Sequence, residues 1–517
     1  MANSGLFSSI RAIQDFTSSW VVQCHSNDMI SPPEPGDSNS LHDKIVVTTS
    51  STELTWATDE TYSLNLSVAE SGSLVANILA NTIYGARHAC ETLLQLIVVV
   101  DEYSNYTSSS LHALSRAKIV DQPAYAHRGL LIDTARNFIP VKLLKKQLDA
   151  MATSKMNVFH WHVTDTQSFP LMIDRIPEMV SYGAYSSDAI YTPNEVKDVI
   201  QYAKYRGIRV ILEFDGPAHA GNGWQWGPSK GLGNLALCIN QQPWRNYCIE
   251  PPCGQLNIIN PNLYTVLQDI FQYMANANLG EQVFHMGGDE IFLGCWNSTE
   301  EIVSFMLERG MGRSEMDFLI IWSEYQNKAL QLWKNTFYSA MQNQSNGNNL
   351  IVQNSPSVVL WSSHLTDPSV IRNFLSNEQY VIQTWLPSSS SVPKELLALG
   401  YKLIISTKNA WYLDHGFWGK TTYYNWKTVY DNQLALEENI LGGEVCAWTE
   451  FIDKHSLESR IWPRAAAAAE RLWSNPDTRA VEAESRFFRH RNRLITRGIQ
   501  PEAIAPKWCE QNESQCH

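Results

Sequence analysis

Val-Phe-His-Met-Gly-Gly-Asp-Glu-Ile-Phe, residues 283–292, sets a short apolar run against two glycines and a pair of adjacent acids. Val283 to Met286 read as a buried strand, in which successive side chains point to opposite faces. Asp289 and Glu290 can share one direction only where the strand has ended. Gly287 and Gly288 let the backbone take conformations that residues with a Cβ avoid, so both acids are presented at the strand's carboxyl end. A strand-to-helix loop with an acidic helix start accounts for the same ten residues without any chemistry.

Working outward, the same arrangement recurs. From Ala126 onward, strand candidates at 128–133, 157–163, 208–214, 282–287, 358–362, 380–385, 402–406 and 441–447 alternate with helical segments. Such alternation predicts an α/β fold, a (β/α)8 TIM barrel with long insertions. A doubly wound open sheet is the alternative, but no Gly-x-Gly-x-x-Gly turn follows any of these strands. The positions of the unusual residues decide between them. Asp165, Asp215, His219, Asp289, Glu290, Trp361, Trp385, Trp411, Tyr412, Asp414, Trp448 and Glu450 all lie at or just beyond strand carboxyl ends, which a barrel gathers on its active face.

Ahead of the barrel, residues 1–40 are expected to form an irregular segment, since 31–40 is rich in Pro, Gly, Ser and Asn. Residues 41–124 read as a small α+β domain: strand-like Lys44 to Thr49 and Tyr62 to Ala69, a helix running into an apolar strand over 81–100, and an irregular stretch near 101–124. Residues 125–517 are assigned to the barrel, its C-terminal helices and a disulfide-closed tail.

The chain has 517 residues, 44% apolar and 18% charged, enough for a large barrel plus a smaller partner. Its net charge of −13 speaks against nucleic acid, which needs a concentrated basic surface. No stretch approaches the roughly twenty apolar residues of a membrane span. The 18 Trp and 21 Tyr supply faces that pack on sugar rings, although most Trp in any protein are core.

Cys248 and Cys253, and Cys509 and Cys516, have spacings that suit small disulfide loops; Cys238 and Cys295 would be a third pair. Cys90 and Cys446 read as buried thiols, and Cys24 has no evident partner. The disulfides point to an extracellular or lysosomal, secretory-pathway location, yet residues 1–23 carry no visible signal peptide. A trimmed N-terminus or a variant transcript would reconcile the two. Sequons beginning at Asn65, Asn105, Asn297, Asn343 and Asn512 permit glycosylation and no more. The insertion at 220–260 carries Trp224, Trp226 and Trp244, and if these are exposed they favour a homodimer.

Cleavage of a glycosidic bond needs an acid at the leaving oxygen and a group that stabilises positive charge at the anomeric carbon. Two adjacent acids on one strand end cannot easily flank a sugar ring, so the nucleophile would come from the substrate. Here the chain resembles the β-N-acetylhexosaminidases of glycoside hydrolase family 20. The likeness rests on His-Met-Gly-Gly-Asp-Glu at 285–290, Arg-Gly-Leu-Leu-Ile-Asp-Thr-Ala-Arg-Asn-Phe at 128–138, Asn-Val-Phe-His-Trp-His-Val-Thr-Asp at 157–165 and Glu-Phe-Asp-Gly-Pro-Ala-His at 213–219. Trp-Tyr-Leu-Asp at 411–414, Gly-Gly-Glu-Val-Cys-Ala-Trp-Thr-Glu at 442–450 and Tyr-Gly-Ala-Arg-His-Ala-Cys-Glu-Thr-Leu-Leu-Gln-Leu at 84–96 extend it, from about Lys44 to the C-terminus.

The resemblance implies that Glu290 is general acid and then base, that Asp289 holds the substrate's acetamido N–H, and that Tyr412 donates to the same group. It implies an oxazolinium intermediate and retention of configuration. Asp165 and His219 resemble a relay behind Glu290; a helix-capping Asp and a packed strand-end His are the plainer alternative. Arg136, Asp414 and Glu450 would bind sugar hydroxyls, and Trp361, Trp385 and Trp448 would wall the pocket. Trp244 and the segment 248–257 look most like the arthropod branch, in which residues resembling Glu250 and Trp426 hold the second sugar of a chitooligosaccharide. The resemblance thus implies an exo-acting enzyme on chitin fragments, with N-glycan trimming as the alternative; the expected partners are β-linked N-acetylhexosaminide oligosaccharides, with no cofactor and no metal. A sugar-binding protein without turnover is the rival, and an intact Asp289–Glu290 pair argues against it. A metal-dependent barrel hydrolase has no His cluster of zinc spacing to support it.

Overall fold

The computed structural model describes residues 41–101, 109–344, 356–512 and 515–516; Cys24 and the irregular segment ahead of residue 41 lie outside them. The chain divides into two compact units, one reaching Ala126 and including Lys204–Ile208, the other comprising His127–Ala203 and everything from Arg209 onward.

The first unit is built from β1 (Leu41–Val47), β2 (Tyr62–Val68), β3 (Leu74–Ala80), β4 (Ile97–Asp101), β5 (Ser109–Ala113) and β6 (Ala117–Asp121). Its main sheet has the order β1-β3-β2-β6, while β4 and β5 pair separately as an antiparallel ribbon. Along β2, Tyr62, Leu64 and Leu66 are buried and Asn65 is exposed, the alternation of a strand with one covered face. The helix Ile83–Gln95 packs against β2 and β3, and the Thr82 side chain caps it by accepting the Gly85 N–H. The expectation of an irregular stretch near 101–124 is corrected by β5 and β6. Their alternating apolar residues are interrupted by Ser109, Ser110, Lys118 and Asp121, which hides the period.

The second unit is the barrel. Its strands are β7 (His127–Asp133), β8 (Val158–Thr164) and β9 (Arg209–Phe214); a small ribbon of β10 (Ala236–Leu237) and β11 (Gln255–Leu256) follows in the insertion. Then come β12 (Val283–His285), β13 (Ser357–Trp361), β14 (Tyr380–Thr384), β15 (Lys402–Ile405) and β16 (Ile440–Ala447). The eight larger strands close in the order β12-β13-β14-β15-β16-β7-β8-β9, every pairing parallel. Strands β7, β8 and β9 are buried along their whole length, as parallel strands covered on both faces must be. Outside β12, the helix Pro261–Ala277 starts with Asn260 as its cap and Pro at its first position, and buries Leu263, Val266, Leu267, Ile270, Phe271 and Met274. Phe271 meets Phe284 edge-on at 5.3 Å, and Phe284 stacks on Trp333 of the helix Glu315–Gln344 at 4.1 Å.

The barrel interior is polar where branched aliphatic layers are usual. Alternation along β8 turns Trp161 outward, its indole N–H on the Thr134 hydroxyl, and turns His160 and His162 inward. His160 Nδ1 lies 2.7 Å from Glu444 Oε1, and its Nε2 lies 2.9 Å from Glu213 Oε2. His127 and the Gln383 amide reach Glu444 as well, at 3.0 and 2.8 Å. Burial alone would lower the His160 pKa, but the Glu444 and Glu213 carboxylates outweigh it and push it up to about 9. Buried charge is thus matched by buried charge. Gly129 makes room for this layer, since a Cβ there would stand 2.4 Å from Glu444 Oε2.

Disulfides join Cys238 to Cys295, Cys248 to Cys253 and Cys509 to Cys516, and Cys90 and Cys446 are free thiols. Trp224 and Trp226 are buried, so the insertion presents no exposed tryptophan pair there, and the ground for pairing two chains through those residues falls away. Among the described residues no helix is long and apolar enough to cross a membrane.

Candidate active site

Strand β12 ends earlier than its apolar run suggests because Gly287 and Gly288 adopt left-handed backbone, with φ of 60° and 92°. A Cβ on Gly287 would lie 1.7 Å from Asp215 Oδ1, so only glycine lets the chain pass Asp215. The Gly288 N–H donates to that same Asp215 oxygen at 3.1 Å. Glu290 itself has a φ of 50°, and His219, which faces it, a φ of 52°. Left-handed backbone is uncommon for residues with a side chain and concentrates where function demands it.

His219 Nε2 stands 3.7 Å from Glu290 Oε2, and its Nδ1 donates to Asp165 Oδ1 at 3.1 Å. Burial alone would lower the His219 pKa, but the Asp165 and Asp215 carboxylates outweigh it and hold the ring protonated. Asp165 is buried, yet the Arg136 and His219 cations keep its carboxyl well below the usual range. Glu290 goes the other way. Burial raises its pKa; His219 opposes the rise and the Glu250 carboxylate adds to it.

Arg136 is the ionic centre of this side. Its guanidinium lies 2.9 Å from Asp165, 3.0 Å from Glu250, 3.5 Å from Asp133 and 4.0 Å from Glu450, over the Trp448 ring at 5.2 Å. Opposite it, Leu131, Trp361, Tyr412 and Cys446 form one buried cluster, with Trp385 and Trp448 packed on it. Two of these rings are oriented by hydrogen bonds: Trp361 Nε1–H donates to Glu213 at 2.8 Å and Trp385 Nε1–H to the Ser362 carbonyl at 2.7 Å. Burial raises the Tyr412 phenol pKa, and Cys446 and the Asp289 and Asp414 carboxyls raise it further.

Three carboxyl oxygens here, Asp289 Oδ1, Asp414 Oδ1 and Glu450 Oε2, are shielded from solvent without a hydrogen-bond partner, as is Arg136 Nε. Buried polar atoms are seldom left so, and four in one site mark where a hydrogen-bonding ligand belongs. Burial, with no full complement of partners, raises the Asp414 pKa to about 6 and the Glu450 pKa to about 8; Asp289, beside Asp215, is raised well above the ordinary range. The remaining Asp414 oxygen takes the Trp418 indole N–H at 2.9 Å.

Two expected residues fall elsewhere. Trp426 is corrected: it opens the helix Trp426–Asp431, is 4% exposed, and stacks on Phe487 at 4.2 Å, so its face is covered by protein and cannot receive a sugar. Trp244 is half-buried with the Arg245 guanidinium 4.2 Å from its ring centre, while Glu250 of the same loop is the residue that reaches Arg136. Three groups gain a role only from the structure: Asp215, His162 and Glu213. Their signal in the sequence is the inward alternation along β8 and β9. Among the described residues, His160, Glu213 and His285 lie close enough to share an ion, as do His162, Glu213 and Asp215, and Asp165, Asp215 and His219. His160, His162 and His219 each already face a carboxylate at hydrogen-bonding or ion-pair distance, which balances charge with protons.

A buried carboxyl with a raised pKa, an aromatic wall and unpaired acceptors at the carboxyl-end face of a barrel define a sugar-cleaving site. Residues 125–476 match the catalytic domain of glycosyl hydrolase family 20, and residues 9–96 match a beta-acetyl hexosaminidase like domain, so the likeness begins well before Lys44. The chain is 40% identical to the chitooligosaccharidolytic beta-N-acetylglucosaminidase of Bombyx mori over 472 residues, 89% of this chain and 75% of that one. It is 35% identical to the human beta-hexosaminidase subunit beta, over 86% of this chain and 74% of that one. A Vibrio harveyi exo beta-N-acetylglucosaminidase structure in complex with N-acetylglucosamine superposes with a TM-score of 0.67 at 21% identity, covering 90% of this chain and 70% of that one. The chain belongs to glycoside hydrolase family 20. It is a β-N-acetylhexosaminidase by class.

Proposed function

We propose that Glu290 and Asp289 divide a substrate-assisted hydrolysis between them. Glu290 gives its proton to the glycosidic oxygen as the bond to the anomeric carbon breaks. The acetamido carbonyl oxygen of the same sugar attacks that carbon, closing an oxazolinium ring. Asp289 Oδ1 accepts the acetamido N–H, and the positive charge that develops there favours its carboxylate form. Tyr412 donates its hydroxyl to the acetamido oxygen, and Trp361, Trp385 and Trp448 exclude water from the ring. Glu290, now a carboxylate, takes a proton from water as water opens the intermediate, and the β-configuration returns. Arg136, Asp414 and Glu450 hold the sugar's hydroxyls.

The observation that carries this reading is the set of solvent-shielded, unpartnered oxygens on Asp289, Asp414 and Glu450, which ask for N–H and O–H donors from a ligand. We place the enzyme on chitooligosaccharides, in keeping with the activity for which the silkworm relative is named and with Glu250 at the rim. The covered face of Trp426 removes the platform for a linear chain and favours a second reading, trimming of N-glycan antennae. The disulfides fit an oxidising, secretory-pathway compartment.

The test supplies purified protein with a chromogenic N-acetyl-β-glucosaminide and with its 2-hydroxyl analogue. Turnover of the acetamido sugar alone is expected; comparable turnover of both would overturn the mechanism. Chitobiose against a biantennary N-glycan then separates the two substrate readings.

A further inference from the structure

We propose that His162 and Glu213 join the proton relay to the acetamido wall and act as positioning residues for Glu290 and Trp361. The proposal rests on Glu290 being the general acid.

Asp165 has two oxygens with different duties. Oδ1 takes the His219 Nδ1–H at 3.1 Å, which aims the far side of that ring at Glu290; Oδ2 faces His162 Nε2 at 2.9 Å. The opposite nitrogen of His162, Nδ1, lies 2.6 Å from Glu213 Oε2. An imidazole can donate from both nitrogens only as a cation. Burial alone would lower its pKa, but the Glu213 and Asp165 carboxylates outweigh it and keep the ring charged. Glu213 then uses its other oxygen, Oε1, to accept the Trp361 Nε1–H at 2.8 Å.

The line Glu290, His219, Asp165, His162, Glu213, Trp361 is therefore continuous apart from the 3.7 Å step to Glu290. Its middle members are closed to solvent: His162 and Glu213 are both 0% exposed, and Asp165 is 2% exposed. His162 and Glu213 are also register partners across β8 and β9, so barrel closure itself sets their contact. The charged groups facing His162 are Asp133 from β7, Arg136 from the loop after it, Asp165 from the loop after β8, and Glu213 and Asp215 from β9 and its end. His160 shares Glu213 from the same strand, and Trp448 meets the His162 ring edge-on at 4.9 Å. With an acceptor at each nitrogen the ring cannot turn. Asp165 is thereby prevented from rotating its carboxylate off His219, and Trp361 from swinging its indole away from the acetamido group.

The experiment is a leaving-group series of N-acetyl-β-glucosaminides, from 4-nitrophenyl to methyl, applied to the full chain and to His162→Gln, His219→Gln, their double variant and Glu290→Gln. A loosened relay costs most where the leaving oxygen most needs a proton. His162→Gln is expected to lose roughly 10- to 100-fold on the methyl glycoside and far less on the nitrophenyl one. The alkaline limb of its kcat/KM profile should move, and the double variant should be little worse than His219→Gln. Equal losses across the series, with an unmoved limb and additive losses, would overturn the proposal and leave His162 as packing. Glu290→Gln is the control: a flat series for it would instead refute the acid assignment. If His162→Gln does not fold, Glu213→Gln tests the same line by comparing N-acetyl with N-propionyl substrates. A displaced Trp361 narrows the discrimination between them; unchanged discrimination with full activity would refute the link.

Discussion

On the β7–β9 side of the barrel mouth, Arg136, Asp165 and His219 meet through charge; on the β13–β16 side, Trp361, Trp385, Tyr412 and Trp448 meet through ring faces. Both sides are buried, yet burial has opposite consequences. On the ionic side Arg136, Asp165 and His219 hold one another ionised despite burial, so their protonation states are set by partners. On the aromatic side burial removes water and leaves orientation to a few donated hydrogen bonds, such as those of Trp361 and Trp385. Asp289 and Glu290 occupy the seam, and adjacent residues in one chain thereby acquire different work.

Removing the proton donor should break the comparison hardest. Glu290→Gln is expected to lower kcat about 10²- to 10⁴-fold on substrates with poor leaving groups while preserving the fold, as steady-state kinetics and a thermal melt would show. On the aromatic side, Tyr412→Phe removes the hydroxyl that aims the attacking acetamido oxygen, and a loss of roughly 10- to 100-fold in kcat with KM little changed is expected.

A finer cut uses charge alone. The Glu250 carboxylate adds to the rise in Glu290's pKa, so Glu250→Gln should let that pKa fall. The acid must be protonated to act, and the alkaline limb of kcat/KM should therefore move to lower pH; a limb that moves upward would show that Glu250 acts only through Arg136. Smallest on catalysis, and a check on the boundary of the site, is Trp426→Ala. It should leave kcat/KM on chitobiose within about twofold, yet cost about 3–5 kcal/mol of stability from the lost stack on Phe487, read by denaturant unfolding. A selective rise in KM for longer chains would return Trp426 to the site.

The barrel is legible in the sequence because short strand-like segments alternate with helical ones and the unusual residues gather where those segments stop, even though several strands carry buried polar residues of their own. Asp289 and Glu290 can be placed by the glycines before them, whose left-handed backbone follows from the need to pass Asp215. Trp426 cannot be judged that way, because the Phe487 ring that covers it belongs to a helix far along the chain. His162 and Glu213 are visible as residues and silent as a pair, since their contact depends on the register between β8 and β9. The strands β5 and β6 escape a sequence reading for a simpler reason: their polar positions break up the alternating apolar pattern that would mark them.

Glu290 and His219 both sit in left-handed backbone, a conformation that costs a residue with a Cβ roughly 1–2 kcal/mol. Glycine at either position would relieve that cost and abolish the chemistry. Selection for thermal tolerance alone should therefore act against the acid: a library screened only for heat resistance would enrich Glu290→Gly, whereas His219→Gly would leave the buried Asp165 carboxylate without one of its cations, and the surviving glutamate records selection for turnover.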